Sequence, residues 1–406
     1  MPSEMQVKRI VEAGIISIAV LALGSLCLGQ TAAVANHQRE AAFVLEQQGR
    51  YSEAESAWRV LIKMQPANAE VYAHLGFLEA HQQHYDEAVH LYRRALELNS
   101  TMPGLRLNFG LSLFKSGALK EAIQTFTPLL KAQPSSSPEA LRLTTLIGMA
   151  HYGLHEYAAA VTYLREATVR DPQNLPYRMA LAHSCLWSKQ YSCVLDVYRE
   201  ILTLNAESAE ADMLAGEAFD ELHNDQDALL QFRAAVKADP REPNVHFGLG
   251  YLLWKRQQYD EAIQEFHAEL SNAPDNSQAL ACLADAEMKS GHPEAAPPLF
   301  EEALRIDPGI ELAHLDLGIL YGDAGRKDDA LRELKIAGKL NPDDANVHWR
   351  LARLYLAAGK KDEANAEFDR TRNLKKSAEA TIFNKLHEAQ DKGKPALDAL
   401  DTKPQH

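Results

Sequence analysis

The feature that most constrains this chain is a 34-residue pattern that recurs along nearly its whole length. The pattern is clearest over 243–276, where Gly250, Ala262 and Phe266 take places 8, 20 and 24. In ten successive copies, place 8 is Gly or Ala, place 20 is Ala or Val, and place 24 is a large apolar residue. A fixed period of this length means that one structural unit is repeated in tandem.

Each copy of the pattern predicts a pair of helices. Apolar residues at places 4, 7, 8 and 11 form one helical stripe, and those at places 20, 24, 27 and 28 form a second. Glycines at place 15, such as Gly117, mark the turn between the helices. Prolines at place 32, such as Pro274, end the second helix because proline cannot continue it. Since a single hairpin cannot cover its own apolar face, the hairpins are expected to stack into a solenoid.

These residues resemble the tetratricopeptide repeat (TPR) family, with ten copies over 36–376. The resemblance implies an all-α, right-handed solenoid of antiparallel helix hairpins. It also implies that the first helix of each hairpin lines a concave groove that holds a protein or peptide partner. Four extra residues, 137–140, separate the third copy from the fourth. We interpret them as an added turn at the start of the next helix, with Ser136 as its cap, because the pattern resumes immediately afterwards.

The N-terminal segment, residues 1–35, does not follow the repeat. Two basic residues precede an apolar run over 13–28, and Ala33 and Ala35 then supply the small residues of a cleavage site. This arrangement is typical of a secretory signal peptide. The alternative is an uncleaved membrane anchor, because 13–35 is just long enough to span a bilayer. Both interpretations place the repeats outside the cytosol, in a periplasmic or extracellular location, and the second adds membrane association.

Three further stretches depart from the regular pattern. Pro297 and Pro298 lie within the second helix of the eighth copy and are expected to kink it. Residues 377–391 have apolar side chains on one helical face, which predicts a helix that caps the end of the solenoid. Residues 392–406 are polar and contain proline, which predicts a disordered tail.

The charge and the motifs of the chain exclude several functions. The net charge is −14, whereas a protein that binds nucleic acid needs a basic face for the phosphates. The sequence has no GxSxG motif, no Walker motif and no Cys/His spacing of a zinc site. We therefore expect neither an enzyme nor a site for a metal or a cofactor.

The candidate binding surface follows from the resemblance, which places positions 2, 5, 9, 12 and 13 of each first helix in the groove. Here these positions are unusually apolar and aromatic, which suits an apolar or amphipathic peptide. The candidate groove residues are Phe77, Leu111, Phe114, Tyr152, His183, Trp187, Phe247, Tyr251, Trp254, Ile319 and Trp349. The alternative is that some of them pack in the core. Phe247, Tyr251 and Trp254 are the ones most expected to be exposed.

Two smaller sets of residues also attract attention. In the sixth copy the groove positions become acidic, which indicates either a solvated face or a subsite for a basic residue of the ligand. This acidic set comprises Glu210, Glu217, Asp220 and Glu221.

Cys185 and Cys193 are eight residues apart, on the two helices of the fifth copy. They are either a disulfide, which an oxidising compartment would favour, or two small core residues.

Together these patterns predict an exported TPR scaffold that holds a peptide segment of a partner protein in its groove, without covalent chemistry. The alternative is a membrane-anchored assembly or export factor for cell-envelope machinery or polysaccharide. The two predictions differ in whether the apolar N-terminal segment is retained in the mature protein.

Overall fold

The computed structural model describes residues 34–204 and 208–392, and every regular element in these ranges is an α-helix. Nearly all of the predicted signal peptide or anchor, and the predicted tail beyond residue 392, lie outside the described residues. Over the described ranges, no helix combines the length and the apolar character needed to cross a bilayer.

The chain divides into two compact units, Met1–Leu204 and Asn205–His406. In each unit, odd-numbered helices are the first helices of the repeats and even-numbered helices are the second. The first unit contains α1 over 34–47, α2 (Tyr51–Met64), α3 (Ala69–His81), α4 (Tyr85–Leu98), α5 (Leu105–Lys115), α6 (Leu119–Lys131), α7 (Pro138–Gly153), α8 (Tyr157–Arg170), α9 (Leu175–Trp187) and α10 (Tyr191–Thr203). The second unit contains α11 (Ala209–Glu221), α12 (Asp225–Ala238), α13 (Val245–Lys255), α14 (Tyr259–Asn272), α15 (Ser277–Ser290), α16 (Ala296–Ile306), α17 (Glu311–Asp323), α18 (Lys327–Leu340), α19 (Ala345–Ala357) and α20 (Lys361–Lys392).

The helices of each unit form two layers. Consecutive helices pack against each other within a unit, and neighbouring first helices also approach each other, as in α3 with α5 or α15 with α17. No contact of similar extent joins two second helices in the described part of either unit. The first helices therefore form the inner layer of each unit and the second helices the outer layer. The predicted all-α fold of tandem helix hairpins is confirmed.

In the repeats with glycine at place 8, a large side chain at place 24 packs on that glycine. Tyr92 and Phe126 are almost completely buried. A Cβ atom built on Gly76 would lie 2.9 Å from Tyr92 Cδ1, and one on Gly110 would lie 2.5 Å from Phe126 Cε1. These distances are too short for a real Cβ contact, so the absence of a side chain at place 8 is what allows the ring to lie against the first helix.

The turn within each hairpin has the same backbone conformation whether or not it contains glycine. The residue at place 15 has a positive φ in all ten repeats, and five of these residues are not glycine: Gln83, His155, Lys189, His223 and Gln257. In most repeats the next N–H donates to the carbonyl five residues earlier, as from Gln258 to Leu253 at 3.0 Å. This bond is typical of a Schellman motif, which satisfies a carbonyl at the end of the first helix.

The insertion over 137–140 lies at the start of α7, which has 16 residues. The helix begins at Pro138, and the Ser137 hydroxyl accepts a hydrogen bond from the backbone N–H of Ala140. The cap is therefore Ser137, one residue after the predicted Ser136. Proline after Ser137 fits the first turn, because the N–H that proline lacks has no helical partner there.

The expected kink at Pro297 and Pro298 is wrong. Helix α16 begins at Ala296, three residues later than the repeat phase predicts, so both prolines lie in its first turn. Proline removes no helical hydrogen bond at these positions, and the helix starts late instead of bending.

The predicted capping segment, 377–391, lies within α20, which runs without interruption from the second helix of the tenth repeat. It is therefore a continuation of that helix in the structure and not a separate element. Whether its apolar side chains cover the end of the stack stays a prediction, because most of these side chains lie outside the described part of the chain.

We expect Gly110→Ala to destabilise the protein. The new methyl group would meet the buried Phe126 ring, and overpacking of this kind costs about 1–3 kcal/mol, more than the helix-propensity gain of up to about 1 kcal/mol. Gly322→Ala is the matched control, because the nearest side-chain atom would lie 3.8 Å from its Cβ. Urea denaturation followed by far-UV circular dichroism should show a loss of stability for the first variant only. Equal effects of the two substitutions would contradict this account of the core.

Candidate functional site

The inner layer of helices presents aromatic rings to solvent. Among the side chains that the structure describes, five Phe, Tyr or Trp residues are exposed, by 37–50%. All five lie on first helices: Phe43, Phe77, Trp187, Tyr251 and Trp349. Those aromatic residues of the second helices whose side chains are described are buried or half-buried. The two layers therefore differ in the exposure of their described aromatic side chains.

Three of the predicted groove residues line one cleft in the first unit. Phe77 on α3 and Leu111 and Phe114 on α5 surround a space of about 410 Å³. Arg142 on α7 and Lys115 on α5 stand at the same cleft. The cleft is therefore apolar with basic groups beside it.

Another three predicted residues form an aromatic cluster further along the first unit. The rings of Tyr152 and Trp187 are parallel within 6° with their centroids 6.2 Å apart, and His183 lies 5.8 Å from Trp187. Tyr157, at the start of α8, meets Trp187 edge-on at 4.7 Å. The sequence did not point to Tyr157, because it stands on a second helix outside the predicted groove positions.

The two cysteines of the fifth repeat lie next to this cluster. Cys185 on α9 and Cys193 on α10 are joined as a disulfide, with their Cα atoms 5.8 Å apart. That Cα separation is within the usual range for disulfides. The bond links the two helices of one hairpin, two residues before Trp187.

Phe247, Tyr251 and Trp254 of the second unit were expected to be exposed, and only Tyr251 is. Tyr251 is 40% exposed, whereas Phe247 and Trp254 are half-buried. Phe247 packs 6.1 Å from the buried Phe266 ring. The indole N–H of Trp254 donates a hydrogen bond to the Asp285 carboxylate, which holds the ring against the neighbouring repeat.

Asp285 belongs to a charged cluster that the sequence did not reveal. Lys289 forms an ion pair with Asp285 at 2.8 Å, and its ammonium lies 4.9 Å from the centre of the Trp254 ring. Asp316, on the next first helix, is only 5% exposed. Burial, and next the neighbouring Asp285 carboxylate, raise the pKa of Asp316 to about 8. At neutral pH this carboxyl group is therefore mostly protonated.

The predicted acidic set lies on α11, and one of its members, Asp220, forms an ion pair with Lys255 of the next repeat. Both oxygens of Asp220 accept hydrogen bonds from Lys255 at 2.8 Å. Burial lowers the pKa of Lys255, but the hydrogen bond to Asp220 and the charges of Asp220, Tyr251 and Glu221 together outweigh it, so that the pKa is raised. The other three, Glu210, Glu217 and Glu221, are exposed on the same helix.

The last two predicted groove residues, Ile319 and Trp349, line one cleft of about 230 Å³. Arg350 and Arg353 stand at the same cleft, and the Arg353 guanidinium lies 4.8 Å from the centre of the Trp349 ring. This end of the inner layer is therefore aromatic and basic.

Comparison with known proteins identifies the family to which the repeat belongs. A family model described as tetratricopeptide repeat matches residues 39–103, 195–243, 247–309 and 315–378, more than half of the chain. The chain belongs to the tetratricopeptide repeat family. A second TPR model matches residues 79–147. Neither model matches 148–194, where the structure nevertheless continues the hairpins with α7 to α10.

Individual TPR proteins resemble the chain more distantly. It is 23% identical to the BBSome complex member BBS4 of Bos taurus over 77% of this chain and 59% of that protein. It is 23% identical to the protein CTR9 homolog of Arabidopsis thaliana over 70% of this chain and 27% of that protein. The chain therefore spans less than two thirds of these relatives. The crystal structure of the APC/C hetero-tetramer Cut9–Hcn1 matches 84% of this chain and 80% of the matched chain, with a TM-score of 0.44 and 13% identity.

Three repeats also contain a buried or half-buried polar pair that the sequence analysis missed. A histidine at place 4 contacts a glutamate 19 residues later in three repeats, with Nδ1–Oε2 distances of 2.6–2.8 Å. The pairs are His246–Glu265, His314–Glu333 and His348–Glu367. The recurrence of His and Glu at fixed places was the signal available in the sequence. These pairs join the two helices of one hairpin, and in the described part of the chain no group of three or more such side chains is arranged to hold a metal ion.

We expect Asp316→Asn to stabilise the protein more strongly as the pH rises. The unfolded chain loses the Asp316 proton near the ordinary pKa of 3.8, whereas the folded chain keeps it up to about pH 8. The folded state thus binds more protons in this window, and the stability of the wild type falls as the pH rises through it. Asparagine cannot ionise, so it avoids this loss.

The measurement is the difference in Tm between variant and wild type at several pH values from 4 to 9. Asp260→Asn, on the exposed surface of α14, controls for the loss of one negative charge. A difference for Asp316→Asn that does not change with pH would show that its carboxyl has an ordinary pKa.

Proposed function

We propose that this chain is an exported scaffold that binds a segment of a partner protein along the inner layer of its TPR units. The observation that carries the proposal is the placement of all five described exposed aromatic residues on first helices. Water-exposed aromatic rings clustered on one surface favour a binding role, and Trp and Tyr commonly supply most of the binding energy at interfaces. Equilibrium binding of an extended or helical segment needs no catalytic group.

The chemistry of the inner layer suggests what kind of segment it holds. In the first unit, the cleft of Phe77, Leu111 and Phe114 offers an apolar pocket. In the second unit, Tyr251 and Trp349 are aromatic anchors with cationic groups beside them, Lys255 and Arg353. An amphipathic segment with apolar anchors fits both units. The name of the bovine relative, a BBSome complex member, favours a role in a protein assembly.

Export is the second part of the proposal. The N-terminal segment has the composition of a signal peptide, and the Cys185–Cys193 disulfide is suited to an oxidising compartment. The alternative, a membrane-anchored assembly or export factor for the cell envelope, keeps the same inner-layer binding but retains the N-terminal segment.

Counting thiols separates these alternatives in one experiment. The sequence has four cysteines, at positions 27, 185, 193 and 282. Protein from its native cells, denatured without reductant and treated with a polyethylene-glycol maleimide, should show one mass step if the signal peptide is cleaved and two if it is retained. Reduction should add two further steps. Three or four steps before reduction would mean that Cys185 and Cys193 do not pair, and would contradict export.

Site-specific crosslinking tests the binding surface. We expect p-benzoylphenylalanine placed at Phe77 or Tyr251 to capture a partner in native cells. The matched controls are Val169 and Leu230, which lie on second helices of the same two units and are 75% and 61% exposed. Capture from the control positions alone would place the binding surface on the outer layer and refute the proposal.

A substitution checks that the captured protein depends on the aromatic rings. Trp349→Ala should weaken binding of the partner captured at Tyr251 by about 2 kcal/mol, or roughly thirtyfold in Kd. Leu230→Ala, on the outer layer, should leave Kd unchanged. A partner whose affinity is the same in both variants does not use this surface.

A further inference from the structure

Two buried carboxyl groups meet between the first helices of the second unit. Asp285 on α15 is 1% exposed, and Asp316 on α17 is 5% exposed. Burial, and next the charge of Asp285, raise the pKa of the Asp316 carboxyl, so the two groups are close enough to interact. Two carboxylates this close are costly to bury together, so the site needs cations or protons to balance it.

The cation that is present, Lys289, forms an ion pair with Asp285 and acts on Asp316 only through its charge. The ammonium of Lys289 lies 2.8 Å from Asp285 Oδ2, and the Trp254 indole N–H donates to the same carboxylate. Asp316 Oδ2 is buried and has no hydrogen-bond partner in the described part of the chain. Buried polar atoms are normally satisfied, so this oxygen marks a missing donor.

The other charged groups packed around α17 do not supply that donor. From α19, Arg350 lowers the pKa of Asp316 only through its charge, and its Nε donates to Asn346. From α16 and α18, Glu301 and Glu333 accept from or pair with other residues of α17, namely Tyr321 and His314. The site therefore holds two carboxyls, one ammonium and one unfilled acceptor.

We propose that the Asp285–Asp316 pair is a subsite for one guanidinium group of the bound segment, which enters in place of Lys289. The inference rests on the proposed function and names a chemical feature of the partner, an arginine. A guanidinium is planar and has five N–H donors, so it can serve both carboxylates while its face stacks on the Trp254 ring. An ammonium is a compact charge, and that of Lys289 forms its ion pair with Asp285. The Lys289 side chain is 42% exposed, so it has an open path to swing out.

Entry of the guanidinium is coupled to a proton. At neutral pH the raised pKa of Asp316, about 8, keeps its carboxyl protonated. A permanent positive charge beside it favours the carboxylate, so the O–H bond breaks and the proton passes to water. Binding therefore strengthens with pH, by up to about tenfold per pH unit, until Asp316 is ionised without the ligand.

The test uses the full chain and a small probe, Nα-acetyl-arginine methylamide, with the lysine analogue as comparison. Titration calorimetry should show that Lys289→Met binds the arginine probe at least tenfold more tightly than the wild type does, and more tightly than it binds the lysine probe. Adding Asp316→Asn should remove this gain and the proton release, which is measured in buffers of different ionisation enthalpy.

Lys255→Met is the matched control. Lys255 also pairs with an aspartate, Asp220, and lies 6.0 Å from the centre of an aromatic ring, Tyr251, but the Asp220 side chain is 17% exposed. This variant should not gain affinity for the probe. Lys289→Gln repeats the test with a polar replacement if the methionine variant does not fold.

Three results would overturn the proposal: no gain in Lys289→Met, equal gains for the arginine and lysine probes, or a gain that survives Asp316→Asn. The probe is a single amino-acid derivative, so its binding does not depend on whether Tyr251 crosslinks a partner. The guanidinium subsite and the proposed function can therefore fail separately.

Discussion

The packing of a large side chain at place 24 on the small residue at place 8 is the interaction on which the rest of this structure depends. The Phe126 ring on Gly110 shows the principle, since no further atom fits between them. This contact fixes the distance between the two helices of a hairpin. It also uses the aromatic residues of the second helices in the core. Among the described side chains of the first helices, five aromatic residues are exposed, whereas others, such as Phe109 and Tyr321, are buried.

Much of this fold was predictable because its contacts are local and periodic. The 34-residue spacing specified which residues face the core, and the helix pairs follow from it. The turns were predicted only where they contain glycine. Lys189 and His223 adopt the same left-handed backbone because the hydrogen bonds of the turn require it, whatever their intrinsic preference. The repeat phase predicted a kink at Pro297. Instead, α16 begins at Ala296, three residues later than that phase predicts, so Pro297 lies in its first turn.

The candidate site was predictable as a surface but not as a set of contacts. The repeat places identify the inner face, and this is how Tyr251 and Trp349 were found. They do not say which residue of the next repeat each side chain meets. Trp254 was expected to be exposed because its place is a surface place, yet its indole N–H reaches Asp285 in the following repeat. Asp285 and Asp316 occupy different places in adjacent repeats, so no periodic signal connects them.

The disulfide within the fifth repeat has a mechanical consequence. Each repeat of a solenoid contacts only its neighbours, so a hairpin that separates from them has few other contacts to hold it together. The bond between Cys185 and Cys193 closes the turn between α9 and α10 covalently. When force pulls this hairpin apart, the turn cannot lengthen, and the two helices stay tethered next to each other. The hairpin that carries Trp187 is therefore positioned to re-form first when the force is released.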